Sequence, residues 1–535
     1  MTLPTWRVNK DTHTYNGRNY MFGNRRKSIS RPVLYLVAAV LCFGVFLTFV
    51  NIYELRRLQQ DHVIYQHAEV EGVGEQHSHT DTRPIAWVHA KSPTSGYLNN
   101  VLAVFQHIGY QVHTTEPATW DVLWCHDYPF TQLKKQLSHI KDNQRVNHFP
   151  GSGFITNKVN LATSKDIQHI PKAFKMPKDK DALLKFTQTH PDWLWVQKSN
   201  NHRGVKIKKV SELELSKEDS FVQQYVDKPF LIDGKRFDVG IYTTVTSIDP
   251  LRVYINEGDF LVRFCPKDYY PFDPTDRDKY VVHDDYYPMW KLPTLQRYYK
   301  EFDYTFKEAL LAHLRSKGHD TDAFMNKMRE CIRSVFISKE LELVKSVKRL
   351  NFKSGRHFFE MVRFDFVFDE DLNVYLMEVN MSPNLSSIHF PPNKLLYMQS
   401  IFSMLGLVGV ARSAHNEMTS NEEESFLMQV HAKDIHTYSD VCVSQKCKDN
   451  CLTAECKLCA ECMMVQQKLD LKQAYLEHMN RNRWSRVLPK PFKNQESAKS
   501  WKPEQDIHYR DLTVKNKWMA LWFHGKCLQD RSWCV

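Results

Sequence analysis

Hydrophobic positions follow three rhythms along the chain. An unbroken apolar run occupies residues 32–53 (PVLYLVAAVLCFGVFLTFVNIY), with no charge between Arg31 and Glu54. At about 1.5 Å rise per residue, a helix of roughly 20 such residues crosses a bilayer core of about 30 Å. A cleaved signal peptide has an apolar stretch of only about 7–15 residues, so the run predicts a transmembrane signal-anchor helix. Residues 54–84 are polar, with His77 and His79 in an HSHTDT run, and read as a stem without a core. From residue 85 onward, short apolar runs at 85–88 (IAWV), 193–196 (WLWV), 239–245 and 364–368 alternate with amphipathic stretches. The longest of these, residues 304–349, carries Leu310, Leu311 and Leu314 at helical spacing and predicts a helix. The alternation predicts a mixed α/β (α+β) domain over residues 85–412. Residues 413–440 turn polar, with Glu422, Glu423 and Glu424 in a row, and read as a linker to a Cys-rich, basic region at 441–535.

Charge adds orientation and narrows the partners. Arg18, Arg25, Arg26, Lys27 and Arg31 in the basic tail (1–31) precede the apolar run, whereas only Arg56 and Arg57 closely follow it. The positive-inside rule then predicts a single-pass endomembrane or ER protein with a cytoplasmic N-terminus. A cytoplasmic-facing globular domain is the alternative. The net charge of +11 suits an acidic protein partner. No RNA- or DNA-reading motif accompanies it, so nucleic acid is not among the expected partners.

Eight cysteines crowd the C-terminal region: Cys442, Cys447, Cys451, Cys456, Cys459, Cys462, Cys527 and Cys534. Cys456, Cys459 and Cys462 have zinc-like spacing but lack a second C-x-x-C pair, and the even count favours disulfides in an oxidising lumen. Trp501, Trp518, Trp522 and Trp533, with Arg481, Arg483, Arg486, Lys490 and Lys493, read as an exposed surface that covers the domain or binds a partner.

The strongest chemical constellation lies near the end of the α/β domain. Glu378 and Asn380 fall on one face of an apolar strand, because side chains alternate along a strand. Asp365 belongs to a preceding strand, and residues 369–373 can form the turn that pairs the two as a hairpin. Three oxygen donors gathered in this way suit Mg²⁺, which would bridge nucleotide phosphates during phosphoryl transfer.

The hairpin sequence FEMVRFDFVFDEDLNVYLMEVNMSPNLSS resembles the metal-binding hairpin of the tubulin–tyrosine ligase-like family. VQQYVDKPFLIDGKRFDVGIYTTVTSIDPLRVYINEGDFLVRF is similar to that family's most diagnostic stretch. Asn147-His148-Phe149-Pro150-Gly151 with Lys158, and Trp195-Val196-Gln197-Lys198 followed by Arg203-Gly204, resemble two further motifs, in family order. The resemblance implies an ATP-grasp-like fold and an ATP- and Mg²⁺-dependent ligase that activates a carboxylate as an acyl phosphate and then joins it to an amino-acid amine. By position, Lys198, Arg203 and Gly204 would contact the ATP phosphates. Gln223, Gln224, Tyr225 and Val226 would border the adenine. Arg236 stands where the family has a lysine, Asp238 would reach the ribose, and Arg263 would hold the transferring phosphoryl group. His283 matches a family histidine in the nucleotide site, and Asp365, Glu378 and Asn380 would hold the metal. Lys198, Arg263 and Glu378 are thus the expected catalytic residues.

The branch most resembled builds glutamate chains on the acidic C-terminal tails of tubulin, which makes tubulin or another acidic protein, and free glutamate, the expected partners. Three positions depart from the family pattern. Lys206 replaces a phosphate-loop glycine, Gly240 replaces an arginine two residues after Asp238, and Asp285 places an acid in the His283 stretch. These departures leave a second reading, a catalytically weak or inactive binding module with the same fold. A third keeps the ligase chemistry but takes a lumenal acceptor.

Overall fold

The computed structural model describes residues 83–199, 205–350, 352, 355–411 and 428–535. The chain divides into two compact units, 1–81 and 82–535, and the described residues belong to the second. The predicted membrane span at 32–53 lies outside them, as do Arg203, Gly204 and the acidic run at 422–424. Among the described residues no helix is long and apolar enough to cross a membrane.

Three sheets organise this unit. Strands β1 (Ile85–His89), β2 (Gln111–His113), β3 (Val122–Cys125) and β4 (Arg145–Val146) form a parallel sheet in the order β2-β1-β3-β4. Strands β5 (Ala173–Met176), β6 (Trp195–Ser199), β7 (Lys206–Lys208) and β8 (Ser220–Gln224) form a small antiparallel sheet in the order β5-β8-β6-β7. The third sheet is built on β9 (Phe237–Ile248), a run of β-branched and aromatic residues buried along its whole length. β11 (Leu261–Phe264) pairs with its first residues and β10 (Leu251–Asn256) with its last, while β13 (Glu360–Phe368) runs along the other edge. β12 (Tyr287–Pro288) extends the sheet beyond β11, and β14 (Val374–Met381) beyond β13.

Helices cover these sheets. The first is α1 (Asn99–His107); α2 (Lys158–Ala162) and α3 (Lys180–Thr189) follow. The stretch predicted as one helix over 304–349 is two, α4 (Phe306–Ser316) and α5 (Thr321–Arg349). The break falls at Gly318, whose φ of +85° leaves the helical region. Asp320 then restarts the helix by accepting bonds from the backbone N–H groups of Asp322 and Ala323. α6 (Asn393–Leu407) packs against α1.

The C-terminal region joins the main sheet. α7 (Val465–Met479) and α8 (Val514–Gln529) flank β15 (Trp484–Leu488), which pairs with β10. Arg252 of β10 grips Glu477 of α7 through two bonds of 2.8 and 3.0 Å, and Tyr254 and Thr246 donate to the same carboxylate. The tryptophans expected on the surface are inside: Trp522 is 0% exposed, Trp533 4% and Trp518 7%, packed with Leu471 and Phe523 in a core of their own. Trp518 and Trp522 stand four residues apart on α8, so the helix turns both rings to one face and inward. All eight tail cysteines are paired, as Cys442–Cys459, Cys447–Cys456, Cys451–Cys462 and Cys527–Cys534. Cys125, Cys265 and Cys331 are free and buried.

Candidate active site

A cleft of about 390 Å³ opens between the small antiparallel sheet and the main sheet, lined by β6 and β8 on one side and by Asp238, Arg263, Asp365 and Glu378 on the other. Its floor is set by strand pairing. β13 and β14 run antiparallel with Asp365 opposite Glu378 and Arg363 opposite Asn380. Asp369 makes the turn between them by accepting from the N–H groups of Asp371 and Asn373. The amide nitrogen of Asn380 lies 2.9 Å from Asp365 Oδ2 and 3.1 Å from Glu378 Oε1, so the three side chains meet at one spot.

Cations neutralise these carboxylates. Arg263 forks onto Asp238 at 3.0 and 2.7 Å and reaches Asp365 Oδ2 at 3.0 Å. Lys158 Nζ lies 2.6 Å from Glu378 Oε2. Burial alone would raise the Glu378 pKa, but Lys158, Asn380 and Arg363 outweigh it and hold the carboxyl down at about 2. Asp238 is shifted the other way, to about 6, by burial and the nearby Asp365 charge acting against Arg263.

The wall formed by the small sheet carries Lys198, whose Nζ donates to Gln223 Oε1 at 3.1 Å. Withdrawal from water lowers its pKa to about 8, with Glu378 pulling upward and Lys158 and Arg236 pushing down. Arg236 donates to the Tyr225 hydroxyl at 2.8 Å and to the Val226 carbonyl at 3.0 Å, which fixes the segment from Gln224 to Val226 along the cleft wall. Gln223 is buried behind that wall. His283 is not brought into the cleft. Its Nε2 turns to Asp278 Oδ1 at 3.1 Å, and Val281 and Val282 line the wall instead. Lys206 is exposed at the start of β7 and does not line the cleft itself, although its neighbour Val205 and its strand partner Gln197 do.

The sequence motifs around 147–151 serve this floor indirectly. His148 Nδ1 lies 3.0 Å from Glu360 Oε1, and the Phe149 N–H donates to Glu360 Oε2 at 3.1 Å, which ties the motif to the first residue of β13. Gly151 takes φ +90°, and a Cβ there would come within 2.6 Å of Ser346 on α5. This turn delivers Lys158 to the first position of α2 and so to Glu378. Lys158 also lines a neighbouring open hollow of about 560 Å³ with Tyr128, Phe154 and Asn157.

Two residues escaped sequence reasoning as site members. Lys158 was visible only as part of a motif, with nothing local to pair it with Glu378. Arg363 carried a usable signal, because strand alternation places it on the face of Asp365.

The donor set fits a hard divalent cation: two carboxylates and an amide that a half-turn would present oxygen-first. Among the described residues no three His, Cys, Asp or Glu side chains gather into a group that could hold a metal, so the third donor here is the Asn380 amide. Chemically, the cleft combines converging oxygen donors with Lys198 and Arg263, the pairing needed to hold phosphates and neutralise charge that develops on them.

The fold is mixed α/β, and the cleft lies between two of its sheets. Residues 135–416, more than half of the chain, match the family described as "Tubulin-tyrosine ligase family". The chain belongs to that family. It is 40% identical over 469 residues to "Probable tubulin polyglutamylase ttll-15" of Caenorhabditis elegans, covering 85% of this chain and 88% of that protein. It is 32% identical over 291 residues to the mouse "Tubulin monoglutamylase TTLL4", covering 50% of this chain and 24% of that protein. Among solved structures, the C-terminal domain of K. lactis Pby1, described as an ATP-grasp enzyme, superposes with a TM-score of 0.42 at 18% identity. That match covers 62% of this chain and 97% of that one.

Proposed function

We propose that this chain is an ATP- and Mg²⁺-dependent ligase of the tubulin polyglutamylase type, which joins the amine of glutamate to a glutamate side chain of an acidic protein. The observation that carries the reading is the meeting of Asp365, Glu378 and Asn380 beside Arg263 and Lys198 in one cleft. The names of its relatives in worm and mouse support the same chemistry.

In the first step an acceptor carboxylate oxygen attacks the terminal phosphorus of ATP, ADP leaves, and an acyl phosphate forms. In the second, the glutamate amine attacks the acyl carbon, phosphate leaves and the nitrogen gives up a proton. Lys198 and Arg263 supply fixed positive charge around the transferring group, which needs no reorganisation as charge develops. Arg236 holds the Tyr225–Val226 segment against which an adenine would lie. Both oxygens of Asp238 accept from Arg263, and each keeps a lone pair for a ribose hydroxyl. Asp365, Glu378 and Asn380 would hold Mg²⁺, which would supply positive charge to offset that of the phosphates. Transfer of labelled glutamate to tubulin by the purified chain tests this reading; no transfer to tubulin or to lumenal acidic proteins would refute it.

Topology decides the acceptor. The apolar run at 32–53 and its basic N-terminal flank favour a type II anchor with the ligase domain in the lumen. Four disulfides support that placement, because such bonds persist in oxidising compartments and are rare in the cytosol. The acceptor would then be a lumenal acidic protein in place of tubulin. Protease protection of the C-terminal region in intact microsomes is the expected result, and digestion without detergent would return the acceptor to the cytoplasm.

A further inference from the structure

We propose that Arg363 is the positioning residue of the cation site, and that residue 240 is a glycine in order to let it pass. A glycine weakens the interior of a strand and marks a close approach of something else. Gly240 sits inside β9, directly opposite Asp365 of β13. Its backbone is not among those with positive φ, so space and not conformation is the reason for it. A Cβ at 240 would lie 2.7 Å from Arg363 Cδ and 3.1 Å from both Arg363 Nε and Asp365 Oδ1. The stem of Arg363 therefore occupies the place where a side chain at 240 would begin.

From there Arg363 reaches Asp365 in a two-pronged grip, Nε to Oδ1 at 2.6 Å and Nη2 to Oδ2 at 2.8 Å. Both residues are buried, at 6% and 2% exposure. Arg263 and Asn380 also reach Asp365, but through Oδ2 alone, so the second prong of Arg363 is what fixes the plane of the carboxylate. A planar guanidinium fork can do this and a lysine ammonium cannot. Partners that orient a ligating carboxylate in this way are worth about 10–100-fold in metal affinity. The arginine that the family resemblance expects at 240 has in effect moved across the ladder to 363, so the loss at 240 does not leave the site short of a cation. This inference rests on the ligase reading for its chemistry, while its structural content concerns only how Asp365 is held.

An exchange cycle tests it in the purified full chain: Gly240→Arg, Arg363→Gly, and the two together. The readouts are the Mg²⁺ concentration that half-maximally raises the thermal midpoint in the presence of a non-hydrolysable ATP analogue, and transfer of labelled glutamate. Each single change is expected to weaken Mg²⁺ by about 10–100-fold, and the double change to recover most of that loss. Two milder variants, Gly240→Ala and Arg363→Lys, carry the test if a single change prevents folding; both should weaken Mg²⁺ about tenfold. Unaltered Mg²⁺ dependence in the milder pair, or a double variant no better than the worse single, would overturn the proposal. If the wild type transfers no amino acid to any acceptor, the ligase reading fails, and the Mg²⁺ readout still decides the role of Arg363.

Discussion

Lys158 and Glu378 meet at 2.6 Å across the cleft floor, one at the start of a helix and the other in the middle of a strand 220 positions later. The contact joins the Gly151 turn to the β13–β14 hairpin. It also places one ammonium on the border between the cleft and the neighbouring hollow.

Replacing Lys158 by Met should leave the Glu378 carboxylate without its main counter-charge. A loss of about 10–100-fold in Mg²⁺ affinity is expected by titration. The pH dependence has a definite sign. Glu378 is depressed from 4.5 to about 2, so its contribution to stability is fully present above pH 4.5 and disappears as pH falls towards 2. The stability gap between wild type and Lys158→Met should follow that window, wide at pH 6 and closing below pH 4.

Lys198 makes a prediction in the alkaline direction. With its pKa lowered to about 8, it loses its positive charge as pH rises through that value. ATP binding to the free enzyme should weaken above pH 8, seen as a falling kcat/KM for ATP. Bound phosphate favours the charged form, so kcat at saturating ATP should hold to higher pH. Lys198→Arg should abolish the alkaline fall, because a guanidinium stays protonated.

The buried grip of Arg252 on Glu477 should be a structural keystone for the C-terminal region. Glu477→Leu leaves a guanidinium buried without its partner, and a loss of about 3–5 kcal/mol is expected by denaturant unfolding. Arg252→Met combined with Glu477→Leu should recover much of it. Removing residues 441–535 strips β15 from the main sheet and should yield no soluble ligase domain.

Differential alkylation checks the cysteine pairing. In the native, unreduced protein the eight tail cysteines should resist alkylation even after unfolding, while Cys125, Cys265 and Cys331 should react only once unfolded. Burial pushes these three thiols up, away from the reactive thiolate range. The loops closed are short, spanning 7 to 17 residues, so each bond should contribute roughly 2–3 kcal/mol. Reduction should destabilise the tail first.

The strands and the hairpin were legible in the sequence because alternation is a local property. β13, its turn at Asp369 and the shared face of Glu378 and Asn380 all follow from a period of two. What local pattern could not show was pairing across the fold. Nothing near Glu477 announces Arg252, and nothing near Lys158 announces Glu378. Trp518 and Trp522 stand four apart in an apolar stretch of α8, but nothing near them announces Leu471 and Ala474 of α7, the partners that bury them. His283 keeps its place in the motif, but a motif fixes chain position and not the rotamer, and here Asp278 claims the ring. Gly240 looked like a missing cation when read along one strand, and only the adjacent strand shows where the arginine stands.

Binding of ATP to the wild type and to Glu378→Gln, titrated with and without Mg²⁺ and followed by transfer of labelled glutamate, tests the central claim most directly. The wild type should bind ATP more tightly with Mg²⁺ and transfer glutamate. The variant, short of one ligating charge, should bind ATP with little response to Mg²⁺ and transfer at least a hundredfold more slowly, on the order expected when preorganised charge is lost at a transferring group. Equal Mg²⁺ dependence and equal transfer in the two proteins would contradict a cation held by Asp365, Glu378 and Asn380.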